Sequence, residues 1–289
     1  MRGRPSPRRS TPLSVRRRLD AELVRRGLVP SREQAHRRLA EGRVLVGGAP
    51  ADKASRLVAP GEPLEVVGPP PRFVGRGGEK LEAALAHFGV EVAGRAVLDA
   101  GASTGGFTDC VLQRGAASVL AVDVGNGQLH ERVARDPRVT VRDRTNVRSL
   151  VLDVPVDVVV ADLSFISLGA VAPALLGANA APGADVVVLV KPQFEAGRAD
   201  VSKGRGVVRS PVVWRRVLGE VCSALAGHGA GMMGAMVSPL TGADGNVEFL
   251  VHLRASSSEA PPAPVDLDAV VASACALAGI EPPAPGGEN

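Results

Sequence analysis

Residues Val97 to Asp109 read VLDAGASTGGFTD. Val97 and Leu98 close a short apolar run, which predicts a buried strand. Asp99 follows, then a turn rich in glycine at Gly101, Gly105 and Gly106, and Phe107 to Gln113 opens a helix. Strand, glycine turn and helix bring a ligand against backbone N–H groups and the positive end of a helix. The spacing is not the G-x-G-x-x-G of dinucleotide sites, and the sequence holds no G-x-x-x-x-G-K-[ST] phosphate loop. Asp99 would repel a pyrophosphate. The turn suits a cofactor with a positive charge, an amino acid part and no phosphate, and S-adenosylmethionine is such a cofactor. The alternative is an ordinary strand-to-helix connection.

Outward from this turn, short Val- and Leu-rich runs alternate with helical stretches. They fall at Ala96–Asp99, Ser118–Asp123, Val139–Arg142, Asp157–Ala161, Asp185–Lys191, Ala235–Ser238 and Val247–Leu253. Continuous apolar strands are covered on both faces, and alternation with helices gives a doubly wound, mostly parallel α/β sheet of seven strands. Ligands of such sheets lie beyond the carboxyl ends of the strands, so the polar residues there are the candidates. Asp123, 22 positions after Gly101, is placed to accept from ribose hydroxyls or to cap a helix. Asp143 and Asn146 follow the third strand and could hold an adenine amino group. Asp162 follows DVVVA, and Lys191 follows VVVLV, on strands expected to be neighbours. Glu248 lies in GNVEFLV, read as the last strand, where a carboxylate needs a partner; Lys191 or Lys80 could supply it.

The chain has 289 residues, 45% of them hydrophobic, enough for a small domain and a large one. Its net charge of +4 is unevenly spread. Residues 1–45 hold 13 arginines against four acidic residues, a balance of +9, which leaves −5 on the remainder. A basic head on an acidic body points to a polyanion held by the head. With no tyrosine and one tryptophan, backbone and shape recognition of folded RNA fits better than base stacking. Three scattered cysteines give neither a disulfide framework nor a metal spacing, and point to a reducing cytoplasm. No apolar run reaches the length of a membrane span, and the Arg-rich start lacks the apolar core of a secretory signal.

Residues 1–13 read as a disordered basic tail. Arg16 to Arg26 predicts a helix with Leu19, Leu23 and Val24 inward, ended by Gly27. A second helix starts at Ser31, with Gln34 at capping-box spacing; Ala35 and Leu39 face inward, while Arg32, Arg37 and Arg38 stay solvated. Strands follow at Val44–Val46 and Leu64–Val67 about the turn Gly47–Gly48. The stretch RRLDAELVRRGLVPSREQAHRRLAEGRVLVGGAPADKASRLVAPGEPLEVV resembles the small α+β RNA-binding domain first known from a small-subunit ribosomal protein, the S4 fold. That resemblance implies Arg17, Arg18, Arg32, Arg37 and Lys53 as RNA contacts. The domain is placed at residues 14–67 and a stiff linker at 68–75. The catalytic domain follows at 76–255, then a mostly flexible tail at 256–289 holding a weak helix near Leu267–Leu277.

The order Lys80, Asp162, Lys191, Glu248 is similar to the Lys-Asp-Lys-Glu tetrad of FtsJ-like ribose 2′-O-methyltransferases, of class I methyltransferase-like fold. The words VADLSFISL, LVKPQFEAG and GNVEFLV, with the RNA-binding head, resemble the TlyA group (hemolysin A family) of ribosomal RNA methyltransferases from about Arg16 to Ala255. The resemblance implies S-adenosylmethionine as cofactor and 2′-O-methylation of a cytidine ribose in ribosomal RNA. It places the cofactor on Asp99, Gly101, Ser103, Gly105, Gly106, Phe107, Asp123, Asp143 and Asp162. Ser103-Thr104 and Phe107 depart from the Ala-Pro and Trp frequent in the FtsJ class. Lys191 is the candidate base. A lysine base must shed its proton, which a nearby like charge such as Lys80 favours and the carboxylates of Asp162 and Glu248 oppose. Base and orienting donor both stay open. The basic segment PQFEAGRADVSKGRGVVR offers Lys203, Arg205 and Arg209 to close over RNA, or is a surface loop. A cytoplasmic monomer acting on ribosomal subunits, without metal or membrane, is expected. The competing readings are a non-catalytic RNA-binding or assembly protein, a cytolysin and a base methyltransferase.

Overall fold

Within Asp185–Val190, alternate side chains serve two cores. Val186, Val188 and Val190 enter one, and Val187 and Leu189 the other. A strand buried on both faces has no polar alternation to show, which is why these runs are continuous. The computed structural model describes residues 16–29, 31–69, 71–256 and 265–282. The tail expected at 1–13 lies outside the described residues. The chain forms two compact units, the first ending at Pro71 and the second starting at Arg72.

The N-terminal unit runs β1 (Arg17–Arg18), α1 (Leu19–Arg25), α2 (Arg32–Ala40), β2 (Val44–Val46), β3 (Ala49–Pro50), β4 (Leu57–Val58) and β5 (Leu64–Val66). β1 pairs antiparallel with β4, and β2 sits between β3 and β5. Leu19, Leu23, Ala35, Leu39, Val44, Val46 and Val58 form its core. The first helix is shorter than the sequence predicts. Arg16 lies before it, and Arg17 and Arg18 are extended because they pair with Val58 and Leu57. Gly27 does end it, at φ +68, where Gly27 N donates to Val24 O and Leu28 N to Leu23 O. Ser31 caps α2 by accepting from Gln34 N at 3.2 Å. Arg38 is not solvated as expected. It is buried and donates to Glu41 and to the Pro69 carbonyl.

The C-terminal unit starts with α3 (Gly77–Phe88) and carries β6 (Ala96–Ala100), α4 (Gly106–Gln113), β7 (Ser118–Val122), α5 (Glu131–Ala134), β8 (Val139–Arg142) and β9 (Val156–Ala161). Next come α6 (Leu168–Ala172), β10 (Ala180–Val190), α7 (Pro192–Glu195), α8 (Arg198–Lys203), α9 (Pro211–Ala226), β11 (Gly231–Val237), β12 (Phe249–Arg254) and α10 (Leu267–Ala278). The seven strands lie in the order β11-β12-β10-β9-β6-β7-β8, with β12 antiparallel to both neighbours and the other pairs parallel. α3 and α4 cover one face; α6, α9 and α10 cover the other. The order reverses between β6 and β9, so their carboxyl ends, Ala100 and Ala161, flank the crevice where this topology takes ligands.

Three boundaries move. The linker expected at 68–75 ends early, because Phe73 is buried among the side chains of α3 and α4 and Val74 N donates to Asp109. In the tail expected to be mostly flexible, the helix expected near Leu267–Leu277 is present as α10, but it is packed rather than weak, burying Val270, Val271, Ala274 and Cys275, and it is capped by Asp266. Burying each of the two valines stabilises by about 1.5–3 kcal/mol. Glu248, expected inside the last strand, lies one residue before β12, with its carbonyl accepting from Ser238 N.

Candidate active site

The glycine turn is shaped by its neighbours. Gly101 has φ +86, and a Cβ there would lie 2.5 Å from the carbonyl oxygen of Asp162. Only glycine lets the β6 and β9 ends approach this closely. Asp123 braces the turn, accepting from Ser103 N at 2.8 Å and from Gly125 N at 2.7 Å. Asp99 lies fully buried and accepts from Thr108 Oγ1 at 2.6 Å. Burial pushes its carboxyl up to about 7, and the nearby Asp162 and Asp123 charges push the same way against the Thr108 hydrogen bond.

A cavity of about 480 Å³ opens beside the turn. Gly101, Ser103, Val122 and Asp123 form one wall, Thr145, Asn146 and Val147 another, and Asp162 to Ile166 a third. Its charged lining groups, among the described residues, are Asp123 and Asp162; no lysine or arginine lines it. A recess of about 80 Å³ continues past Gly101, Ser103, Gly106 and Phe107 to Gly77 and again touches Asp162. Asp99 and Asp143 do not line either space. Asp99 sits beneath the turn, and Asp143 accepts from Gly127 N at 2.8 Å. Gly105 is the left-handed residue ahead of α4 and packs against Leu129.

The four charged residues form two ion pairs. Lys80, in the first turn of α3, pairs with Glu248, and both are almost wholly buried. Lys191, at the end of β10, lies 2.5 Å from Asp162 Oδ1 and donates to Ser164 Oγ at 2.9 Å. Asp162 is thus shared, one side facing the cavity and the other holding the lysine. The pairs are close in the fold, since Gly77, one turn before Lys80, lies beside Asp162 Oδ2. Glu248 Oε1 is backed by Gly242, where a Cβ would come within 2.7 Å.

The remaining sequence candidates are surface cations. In the N-terminal unit, Arg17 and Lys53 are exposed, Arg18 and Arg32 are both held by Asp20, and Arg37 donates to Glu41. In the C-terminal unit, Lys203 ends α8, exposed and 3.9 Å from Asp200, and Arg205 follows it with φ +52. Sequence reasoning missed three features. Ser164 orients Lys191. Phe165 stands 90% exposed at the cavity wall with φ +64, its ring 4.8 Å from that of Phe194. Asn246, fully buried, accepts from Val208 N and donates to Gly206 O, tying the loop after α8 to the segment that carries Glu248. An aromatic residue four positions after a strand end was the signal for Phe165; nothing local marks Asn246.

Residues 73–255 match the FtsJ-like methyltransferase family, and residues 17–64 match the S4 domain. The 16S/23S rRNA (cytidine-2′-O)-methyltransferase TlyA of Mycobacterium tuberculosis is 49% identical over 252 residues, covering 86% of this chain and 93% of that one. Hemolysin A of Brachyspira hyodysenteriae is 37% identical over 240 residues, covering 81% and 98%. A solved structure of a hemolysin-named protein from Streptococcus thermophilus is 39% identical, with a TM-score of 0.72, covering 91% of this chain and 96% of that one. Fold and site therefore define an FtsJ-like methyltransferase preceded by an S4 domain. The chain belongs to the TlyA (hemolysin A) family.

Proposed function

We propose that this protein transfers a methyl group from S-adenosylmethionine to the 2′-hydroxyl of a cytidine ribose in ribosomal RNA, as a monomer in the cytoplasm, without a metal and away from membranes. The observation that supports this most directly is Asp162, which lines the cavity and holds Lys191 at once. The residues present fit the cofactor. The cavity has the size of a small-molecule site. Its two carboxylates, with no lysine or arginine, suit a ligand that carries positive charge and no phosphate. Asp123, at the end of β7, is placed for ribose hydroxyls, and the backbone of residues 101–106 for the amino acid part. When bound, the cofactor supplies an electrophilic sulfonium methyl group.

The protein's own task is to aim the acceptor oxygen. Lys191, fixed between Asp162 and Ser164, presents N–H donors toward that oxygen and orients its lone pair, so the rate gain comes from alignment. With Lys191 engaged as a cation by Asp162 and Ser164, the proton that the hydroxyl loses on methylation would pass to water. Lys80 and Glu248 neutralise each other and hold α3 against the start of β12. The exposed Phe165 ring at the wall offers a face to an unstacked base. No helix among the described residues is long and apolar enough to cross a membrane.

The test is nucleoside analysis of rRNA and ribosomal subunits after incubation with enzyme and cofactor. Appearance of 2′-O-methylcytidine is the expected result; a methyl group on a base would overturn the ribose assignment.

A further inference from the structure

Asp20 in the N-terminal unit has no exposed surface, yet it lies directly beneath three exposed side chains, those of Arg18, Arg32 and His36. Its Oδ1 accepts from Arg18 Nε at 3.1 Å and from Ala21 N at 2.8 Å. Its Oδ2 accepts from Arg18 Nη2 at 3.0 Å and Arg32 Nη2 at 2.8 Å, and lies 3.0 Å from His36 Nε2. The Arg18 hydrogen bonds, with His36, Arg32 and Ala21 adding to them, hold the carboxyl far below the usual carboxylate range against the effect of burial. Arg18, Arg32 and His36 remain 47%, 60% and 56% exposed. One buried charge thus fixes side chains from β1 and from two turns of α2.

The neighbouring Glu22–Arg26 pair shows what a structural pair looks like here, although Glu22 also holds Arg25, which is 52% exposed like the partners of Asp20. Glu22, equally buried, holds Arg25 and Arg26, and Arg26 also donates to the carbonyls of Ala59, Pro60 and Glu62. Arg26 is turned inward and its donors are used. The Asp20 partners are turned outward, and among the described residues the side chains of Arg18 and Arg32 donate only to Asp20. Asp20 engages two of the five N–H groups of Arg18 and one of those of Arg32. Two guanidiniums over one carboxylate leave a net positive cluster, and His36 adds to it when protonated.

We propose that Asp20 is a positioning residue for RNA: it sets Arg18, Arg32 and His36 in advance as a grip for neighbouring phosphodiester oxygens of folded ribosomal RNA. The proposal rests on the RNA-binding reading of this unit and deepens it. Long cationic side chains lose rotamer freedom when they settle on phosphate, and a side chain already held loses less. The negative charge therefore strengthens binding to a polyanion. That runs against simple charge counting, which makes the proposal testable by sign.

The experiment is filter binding of the full-length protein to deproteinised 16S and 23S rRNA over a range of KCl concentrations. It compares wild type, Asp20→Asn, Arg32→Ala and the double variant, with thermal melting of each. Asp20→Asn adds one unit of positive charge and keeps an oxygen for Ala21 N. Expected is an affinity loss of about tenfold, with the salt slope reduced by about one to two. Arg32→Ala is expected to weaken wild type about tenfold but the Asp20→Asn protein less than about threefold, because Arg32 is no longer held. Unchanged or tighter binding by Asp20→Asn overturns the proposal, as do additive effects of the two substitutions. A loss that tracks the melting temperature, with the wild-type salt slope kept, reduces Asp20 to a structural residue and also overturns it. Wild type failing to bind rRNA would instead overturn the RNA-binding reading itself.

Discussion

The Lys80–Glu248 pair places two opposite charges where water hardly reaches. Removing one partner leaves the other charged and desolvated, which costs about 3–5 kcal/mol, whereas apolar replacement of both is close to neutral. Urea unfolding should therefore show Glu248→Gln strongly destabilised and Lys80→Met/Glu248→Leu recovering most of the loss. Equal destabilisation of the single and double variants would contradict the pairing. Asp99 makes a second residue-level prediction. Its folded pKa, about 7, is raised above the unfolded value near 3.8, so the folded state holds a proton that the unfolded state has released. Its contribution is therefore unfavourable as pH climbs from about 4 to 7. Asp99→Asn removes that fall, so the stability difference should shift toward the variant by roughly 3–4 kcal/mol across the window. A difference that does not vary with pH would contradict the burial argument.

At the scale of elements, the turn between β6 and α4 depends on two strand ends lying in near contact. Gly101→Ala would drive a methyl group into the Asp162 carbonyl in a backbone conformation that side chains avoid. Calorimetry should show cofactor affinity reduced at least tenfold, since Asp162 and Ser103 both line the cavity; unchanged affinity would separate the turn from the cofactor. These elements were legible in the sequence because buried parallel strands are unbroken Val and Leu runs, and because glycines recur where backbones touch. The shortened first helix was not legible. Arg17 and Arg18 have no pattern of their own, and their extended form comes from pairing with Leu57 and Val58, some forty residues on. The sequence offered both Lys191 and Lys80 as partners of Glu248; that Lys80 takes it depends on α3 meeting the start of β12 across 168 positions, and Lys191 goes to Asp162 instead. That Asp20 and Glu22 are both buried follows from the packing of α1 on α2 and β4.

For the whole molecule, the division of labour follows from two units with separate cores. Phe73 belongs to the second core, so a fragment starting at Arg72 keeps that core whole. This fragment should bind cofactor within about threefold of the full chain but methylate rRNA poorly, because the arginine-held contacts are gone. Full methylation by the fragment would remove the head from the reaction. The central claim is that the cavity, Asp162 and Lys191 form one site for methyl transfer to a ribose. The most direct measurement is transfer of labelled methyl from S-adenosylmethionine to ribosomal subunits and naked rRNA by wild type and Lys191→Ala, with cofactor affinity of both by calorimetry. Label recovered on ribose with wild type, a loss of about 10²-fold or more with Lys191→Ala, and matched cofactor affinities are the expected result. Label on a base, or transfer by Lys191→Ala at the wild-type rate, would contradict the claim.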